Sequence, residues 1–213
     1  MKRVMSMNQD AGLVAMALMI SNIPNTTNFQ PEALVTLPGM GEKHRVDLVL
    51  DLWDNKNYSS ARALLIPGAS EKIDDNFSDR AKQYTSGDYE DIYNSPYAAN
   101  TLEQMSWIMA KTEELDIDSI ILYAPAYHLI RAYLTLIKSM LKVGRFIAVV
   151  PQALVVSPYN PVPLANNTPA WQLIPSEVAR IIAYQKKGDV ASIDELVDYL
   201  AFLYNILEIN LQI

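Results

Sequence analysis

Two side chains in this sequence are spaced for acid–base work on an anion: His128 and Arg131, within Tyr-His-Leu-Ile-Arg (127–131). Three residues apart on a helix, they share one face. Histidine exchanges a proton near neutral pH, and arginine holds a carboxylate or phosphate through two parallel hydrogen bonds. The plainer alternative is a histidine at a helix end and an arginine paired with a surface carboxylate. Leu-Pro-Gly-Met-Gly (37–41) is the second candidate. Gly39, Met40 and Gly41 would expose backbone N–H groups beside a helix start, which suits an anion. Arg45 stands one turn further on. A lone Gly-x-Gly is also an ordinary tight turn, and this one is neither a full dinucleotide fingerprint nor a Walker A loop. Ile-Pro-Gly-Ala-Ser (66–70) repeats the idea, with Gly68 in the turn and Ser70 offering a hydroxyl to a ligand or a cap to the next segment. In Asn100-Thr101-Leu102-Glu103 the spacing is that of an N-cap and its capping partner. Ser95-Pro96 is a rival helix start, which would leave Asn100 and Glu103 inside the helix on one face.

The elements needed to position these residues are legible as an alternation. Four continuous apolar runs, Ala33–Leu37, Ala63–Ile66, Ser119–Tyr123 and Phe146–Val150, read as parallel strands covered on both faces. Helical spacing lies between them. Val46, Val49, Leu50 and Trp53 form one stripe. Leu102, Met105, Ile108 and Met109 form another within 98–115. Ile130, Tyr133, Leu134, Ile137 and Leu141 form a third within 127–143. Strand–helix alternation predicts a Rossmann-like, doubly wound α/β domain with a mainly parallel sheet and right-handed crossovers. Pro38, Pro67, Pro125 and Pro151 are expected to mark the carboxyl ends of the four strands, because proline cannot donate to the ladder. That edge is where such sheets hold ligands. Gly144 fits a helix C-cap.

The segment 69–95 is polar and carries no clear element. Between 156 and 175 prolines crowd into an expected ordered loop or lid. Two helices should follow. One spans 176–187. The other opens with a Ser192-x-x-Glu195 capping box and carries Leu196, Tyr199, Leu200 and Leu203. The whole chain, 1–213, is expected to be a single domain, with 33–151 as its core and 152–213 as a loop plus a C-terminal helical pair.

Composition narrows the function classes. The chain has 213 residues, 50% of them hydrophobic, and a net charge of −7. That supports a sizeable core and argues against nucleic-acid binding, which needs a basic surface. Cysteine is absent and only His44 and His128 represent histidine, so thiolate chemistry, disulfides and a His-rich metal site are excluded. A cysteine-free chain fits a cytoplasmic location. Lys2 and Arg3 precede an apolar stretch, 11–20, as in a signal peptide. Asn8, Gln9 and Asp10 interrupt that pattern, and ten apolar residues cannot span a bilayer. The expectation is an N-terminal helix capped by Asn8 or Asp10, without stable membrane insertion.

In their order, these motifs resemble the YdcF and SanA family of bacterial domains. Asn100-Thr101-Leu102-Glu103-Gln104 and Tyr127-His128-Leu129-Ile130-Arg131-Ala132 are the most specific part, and the resemblance covers about residues 33–151. It implies a Rossmann-like fold whose cleft is lined by Gly39, Gly41, Arg45, Gly68, Asn100, Thr101, Glu103, His128 and Arg131. It also implies a nucleotide-like ligand, S-adenosylmethionine for the YdcF branch. The chain departs from the family at Gln104, where Asn is usual, and at Ala69, where a second Gly is usual.

Two functions follow from the sequence. One is an enzyme, a hydrolase or transferase acting on a phosphorylated or nucleotide-like small molecule. In it, His128 is the acid/base and Glu103 its partner, while the glycine turns and Arg131 hold the anion. The other is a non-catalytic ligand sensor or interaction module, with the Tyr and Leu face of the C-terminal helices available for a homodimer.

Overall fold

A computed structural model of the protein describes residues 9–21, 23, 29–69, 76–87, 89–95 and 97–207. Its centre is a five-stranded, all-parallel sheet. In chain order the strands are β1 (Ala33–Thr36), β2 (Ala63–Ile66), β3 (Ile92–Asn94), β4 (Ser119–Pro125) and β5 (Ala148–Leu154). In space they lie in the order β3-β2-β1-β4-β5. Ala33 of β1 is in register with Ala63 on one side and Ile120 on the other.

Strand order follows from apolar runs that have two faces to bury. Ala33, Val35, Leu65, Ile120 and Leu122 point into one core layer, and Leu34, Leu64, Ile66 and Ile121 into the other. That is the period-two split of a strand covered on both sides. The second layer is closed by α2 (His44–Asp54) and α3 (Asp79–Ser86). The first is closed by α1 (Gln9–Ser21), α4 (Thr101–Glu114), α5 (Ala126–Val143), α6 (Ile174–Lys187) and α7 (Ile193–Ile206). This is the doubly wound α/β arrangement, and the N-terminal segment takes part in it: Met16 and Ile20 of α1 are buried in the core. Asn8 lies outside the described residues. No helix among the described residues is long and apolar enough to cross a membrane.

Local signals set the helix ends. Gly144 closes α5 in the left-handed conformation, and Ser192 and Glu195 form a reciprocal capping box on α7. Asn100 accepts a hydrogen bond from the Glu103 N–H, so α4 begins at Thr101 and not at Pro96.

Three features differ from the sequence expectation, and a fourth, the segment expected as an ordered loop or lid, gains detail. The last strand is shifted to Ala148–Leu154, so Pro151 lies inside it instead of ending it. β5 is an edge strand, whose unpaired side tolerates a residue without an N–H. The polar stretch 69–95 contains α3 and β3. The segment 156–175 is a built lid, with a two-stranded antiparallel pair, β6 (Pro161–Val162) and β7 (Thr168–Pro169), and two short 3-10 turns. Finally, Leu196, Tyr199, Leu200 and Leu203 of α7 are buried within the chain's own core. Tyr199 accepts from the Val149 N–H and donates to the Ile147 carbonyl, tying α7 to β5. The face that suggested a dimer is therefore covered.

Candidate functional site

β2 and β3 lie to one side of β1, and β4 and β5 lie to the other. The chain thus leaves β1 and β4 in opposite directions. A crevice opens at their carboxyl ends, the topological switch point where doubly wound sheets take ligands. A cleft of about 280 Å³ occupies this crevice.

The turn after β1 forms its floor. Gly39, Met40 and Gly41 have φ of +145°, +60° and +71°. Three successive left-handed residues fold the chain tightly, and glycine relieves the strain at two of them. The Gly41 N–H is held by Asn76 Oδ1 at 3.0 Å, and a Cβ at Gly41 would lie 2.9 Å from Pro163 of the lid. The N–H groups of Gly39 and Met40 have no acceptor among the described residues. Both residues line the cleft.

Behind the turn is a buried cluster. Arg45 donates to Glu42 Oε2 through Nε (3.1 Å) and Nη2 (2.5 Å), to the Leu37 carbonyl (3.2 Å) and to the Tyr127 hydroxyl (2.7 Å). Tyr127 in turn donates to Glu42 Oε2 at 2.6 Å, and burial holds its hydroxyl above the ordinary tyrosine range. Every donor group of Arg45 is thus engaged within the protein.

The opposite wall carries the second cluster. Glu177, on α6, is 4% exposed. Its Oε2 accepts from Arg131 Nε at 2.6 Å and lies 3.2 Å from His128 Nδ1; its Oε1 accepts from Arg180 at 2.5 Å. Arg131 also donates to Thr101 Oγ1 at 2.9 Å, and its Nη2 lies 3.1 Å from His128 Nδ1. Burial is the main force on the His128 imidazole; Arg131 adds to it and Glu177 opposes it, leaving a pKa of about 4. His128 is therefore neutral at pH 7. Burial alone would raise Glu177, but its hydrogen bonds and cationic neighbours outweigh this and hold it well below the usual carboxylate range. The lowering comes from the hydrogen bond and charge of His128 and then from those of Arg131. Nδ1 lies between an acceptor, Glu177 Oε2, and a donor, Arg131 Nη2; in the tautomer with Nδ1–H turned to Glu177, Nε2 is the lone-pair nitrogen, and it has no hydrogen-bond partner among the described residues.

Of the residues expected from sequence, Gly39, Met40, Arg45, Asn100, Thr101, His128 and Arg131 all border this cleft. Gly41 and Gly68 do not line it. Gly68 is needed for close packing: a Cβ there would lie 2.5 Å from the Tyr97 backbone. Glu103 is exposed and caps α4, its Oε2 accepting from the Ala99 N–H at 2.8 Å. The carboxylate beside His128 is Glu177. Ser70 lies outside the described residues. Gln104 joins the two glycine turns by donating to the carbonyls of Gly68 (2.7 Å) and Pro38 (3.3 Å).

Sequence reasoning missed Glu42, Glu177 and Arg180, and it named Gln104 and Tyr127 within motifs without giving either a role. Glu42 and Arg45 are three apart and were open to detection as an i, i+3 ion pair. Glu177 comes from the C-terminal extension, and no spacing rule links it to His128. What brings it to the cleft is the lid. Leaving β5, the chain folds back over the strand ends, where the Leu164 N–H donates to the Met40 carbonyl at 3.1 Å, before α6 begins. Among the described residues no group of three or more His, Asp or Glu side chains is placed to hold a metal ion.

Fold and cleft define the class: a doubly wound α/β domain with a lidded crevice at its switch point. Comparison with protein-family models, with curated proteins and with solved structures found no match for this chain.

Proposed function

We propose that this chain binds a phosphorylated, nucleotide-like small molecule in the crevice, and that His128 acts there as a base in a hydrolase or transferase reaction. The observation that carries the reading is the pair of unbonded N–H groups at Gly39 and Met40, set across the cleft from the neutral His128 and from Arg131. Backbone N–H groups in a left-handed turn suit phosphate oxygens. The buried Glu177 fixes the imidazole through Nδ1, as orienting carboxylates do for catalytic histidines, so that Nε2 can take a proton from a water or a ligand hydroxyl. Glu177 replaces Glu103 as the partner of His128 in this proposal. The YdcF and SanA resemblance favours a nucleotide-like ligand; its named member, S-adenosylmethionine, shares the nucleoside but carries a carboxylate in place of phosphate.

A ligand sensor without turnover is the second reading. It is favoured by the contact between lid and glycine turn at Leu164 and Met40, since a ligand on that turn would press on the lid.

Thermal-shift titration with nucleoside phosphates and S-adenosylmethionine tests the binding. A ligand at a hundred times its Kd should stabilise the fold by about 2.7 kcal/mol, and Arg131→Met should abolish the gain. A panel in which nothing stabilises the protein rejects the proposal. If the bound ligand is converted, His128→Gln should slow conversion by roughly a hundredfold or more. Binding without conversion leaves the sensor.

A further inference from the structure

A second chamber, of about 510 Å³, adjoins the cleft, and Asn100, Thr101, Arg131 and Arg180 border both. Together the two chambers fall within the size range of sites for extended small molecules, about 300–1,000 Å³. The outer chamber is furnished by α6. Glu177, Arg180, Tyr184 and Lys187 recur at three, four and three residues, so they share one helix face. Glu177 turns to His128 in the inner chamber, while Tyr184 and Lys187 line the outer one.

Charge decides what the outer chamber suits. Its one acidic lining residue, Asp189, is engaged by Lys142 at 3.4 Å. Arg131 and Arg180 share Glu177. Lys187 has no carboxylate partner among the described residues; its ammonium lies 5.2 Å from the centroid of the Tyr184 ring. That cation–π contact occupies one face of the ring. An unneutralised ammonium in the same chamber as two arginines is a place for negative charge.

From this, and resting on the anion-binding reading of the inner chamber, we infer that the ligand carries an extended phosphate chain. One phosphoryl group meets the Gly39–Met40 turn and His128, and the chain runs past Arg131 and Arg180 to Lys187. The site is thereby matched to triphosphates and longer chains rather than to monophosphates.

Calorimetric titration with orthophosphate, tripolyphosphate and a nucleoside triphosphate tests this. Tripolyphosphate should bind about tenfold or more tightly than orthophosphate, the gain expected of one further charge-assisted contact. Lys187→Gln should remove that advantage. Lys186→Gln, which deletes the same charge from the exposed neighbouring position, should leave it in place. A nucleoside triphosphate that binds more tightly than tripolyphosphate identifies a nucleotide, and equal affinity identifies the bare chain; both support the inference. If tripolyphosphate binds no better than orthophosphate, or if Lys186→Gln and Lys187→Gln act alike, the extended-chain inference falls while the inner site stands. If neither anion binds, both readings fall together.

Discussion

Two arginine–carboxylate clusters face each other across the cleft, and they are built in opposite ways. Glu42 and Arg45 are neighbours in sequence, side by side at the start of α2, with side chains 1% and 3% exposed. Arg131 meets Glu177 from 46 residues away, across the boundary between core and C-terminal extension. Arg45 also holds the Leu37 carbonyl and, through Tyr127, the start of α5. It acts as a strut that fixes the glycine turn against the sheet. Arg131, Arg180 and Glu177 act as a clasp between two walls of the cleft, and the clasp includes the neutral imidazole of His128. An arginine one turn beyond a Gly-x-Gly turn looks like an anion ligand in sequence, yet its donors are all engaged within the protein, and the cluster that presents an imidazole to the cleft is the one assembled at long range.

The largest expected effect separates strut from clasp by stability. Removing one partner of a buried ion pair leaves the other charge unpaired, at a cost of about 3–5 kcal/mol. Arg45→Met strands Glu42 in this way, because Glu42 Oε1 already lacks a hydrogen bond among the described residues. A loss of that size lowers the midpoint of a domain this long by on the order of 10 °C. Glu177→Ala should cost clearly less, since Arg180 is half exposed and rehydrates and Arg131 keeps Thr101. The double variant Glu42→Leu/Arg45→Met should recover part of the Arg45→Met loss. Equal melting shifts for Arg45→Met and Glu177→Ala would remove the distinction.

Next in size is a pH effect that only the clasp should show. The folded-state pKa of His128, about 4, lies below its ordinary value of 6.5. Between those limits the unfolded chain takes up a proton that the folded protein refuses. The stability contributed by neutral His128 is therefore fully present above pH 6.5 and is lost as pH falls towards 4, a change on the order of 3 kcal/mol. Glu177, held low, adds a loss in the same direction, but only below the usual carboxylate range. His44 is also lowered, by burial first, so the measurement is a difference. Urea unfolding of the parent should weaken more steeply from pH 6.5 to 4 than that of His128→Gln. Parallel curves would mean that His128 charges freely in the folded state and is no buried base.

The same contrast explains what the sequence revealed. Strands β1, β2 and β4 are continuous apolar runs, and the caps at Asn100, Gly144 and Ser192–Glu195 are local patterns whose partners lie within a few residues. Such features are written within one stretch of chain. β3 is only Ile-Tyr-Asn, with one buried residue, and α3 has little apolar content, so neither announces itself. Pro151 misled because a proline's tolerance depends on whether its strand is an edge, and strand order is a property of the whole fold. In the site, Gly39, Met40, His128 and Arg131 were found because they stand at strand ends. Glu177 escaped because its place beside His128 depends on how the lid returns over the sheet. Glu103 was drawn in by the family resemblance, although its spacing from Asn100 already pointed to the capping role it has.

The smallest expected effect tests whether the clusters are separate at all. Tyr127 belongs to the strut, yet it precedes His128 in sequence and lines the cleft. Its hydroxyl donates to Glu42 and accepts from Arg45. Tyr127→Phe keeps the ring and deletes this bridge, while Glu42 retains both bonds from Arg45. The cost should be about 1–2 kcal/mol, well under that of Arg45→Met. Because Arg131, Glu177 and Thr101 keep their own bonds, the extra loss of stability between pH 6.5 and 4 should match that of the parent. A Tyr127→Phe protein whose acid slope flattens towards that of His128→Gln would show instead that strut and clasp form one network. In that case the protonation of His128 would be set from both sides of the cleft, and Arg45, the more remote guanidinium bearing on that imidazole, would be the residue to vary next.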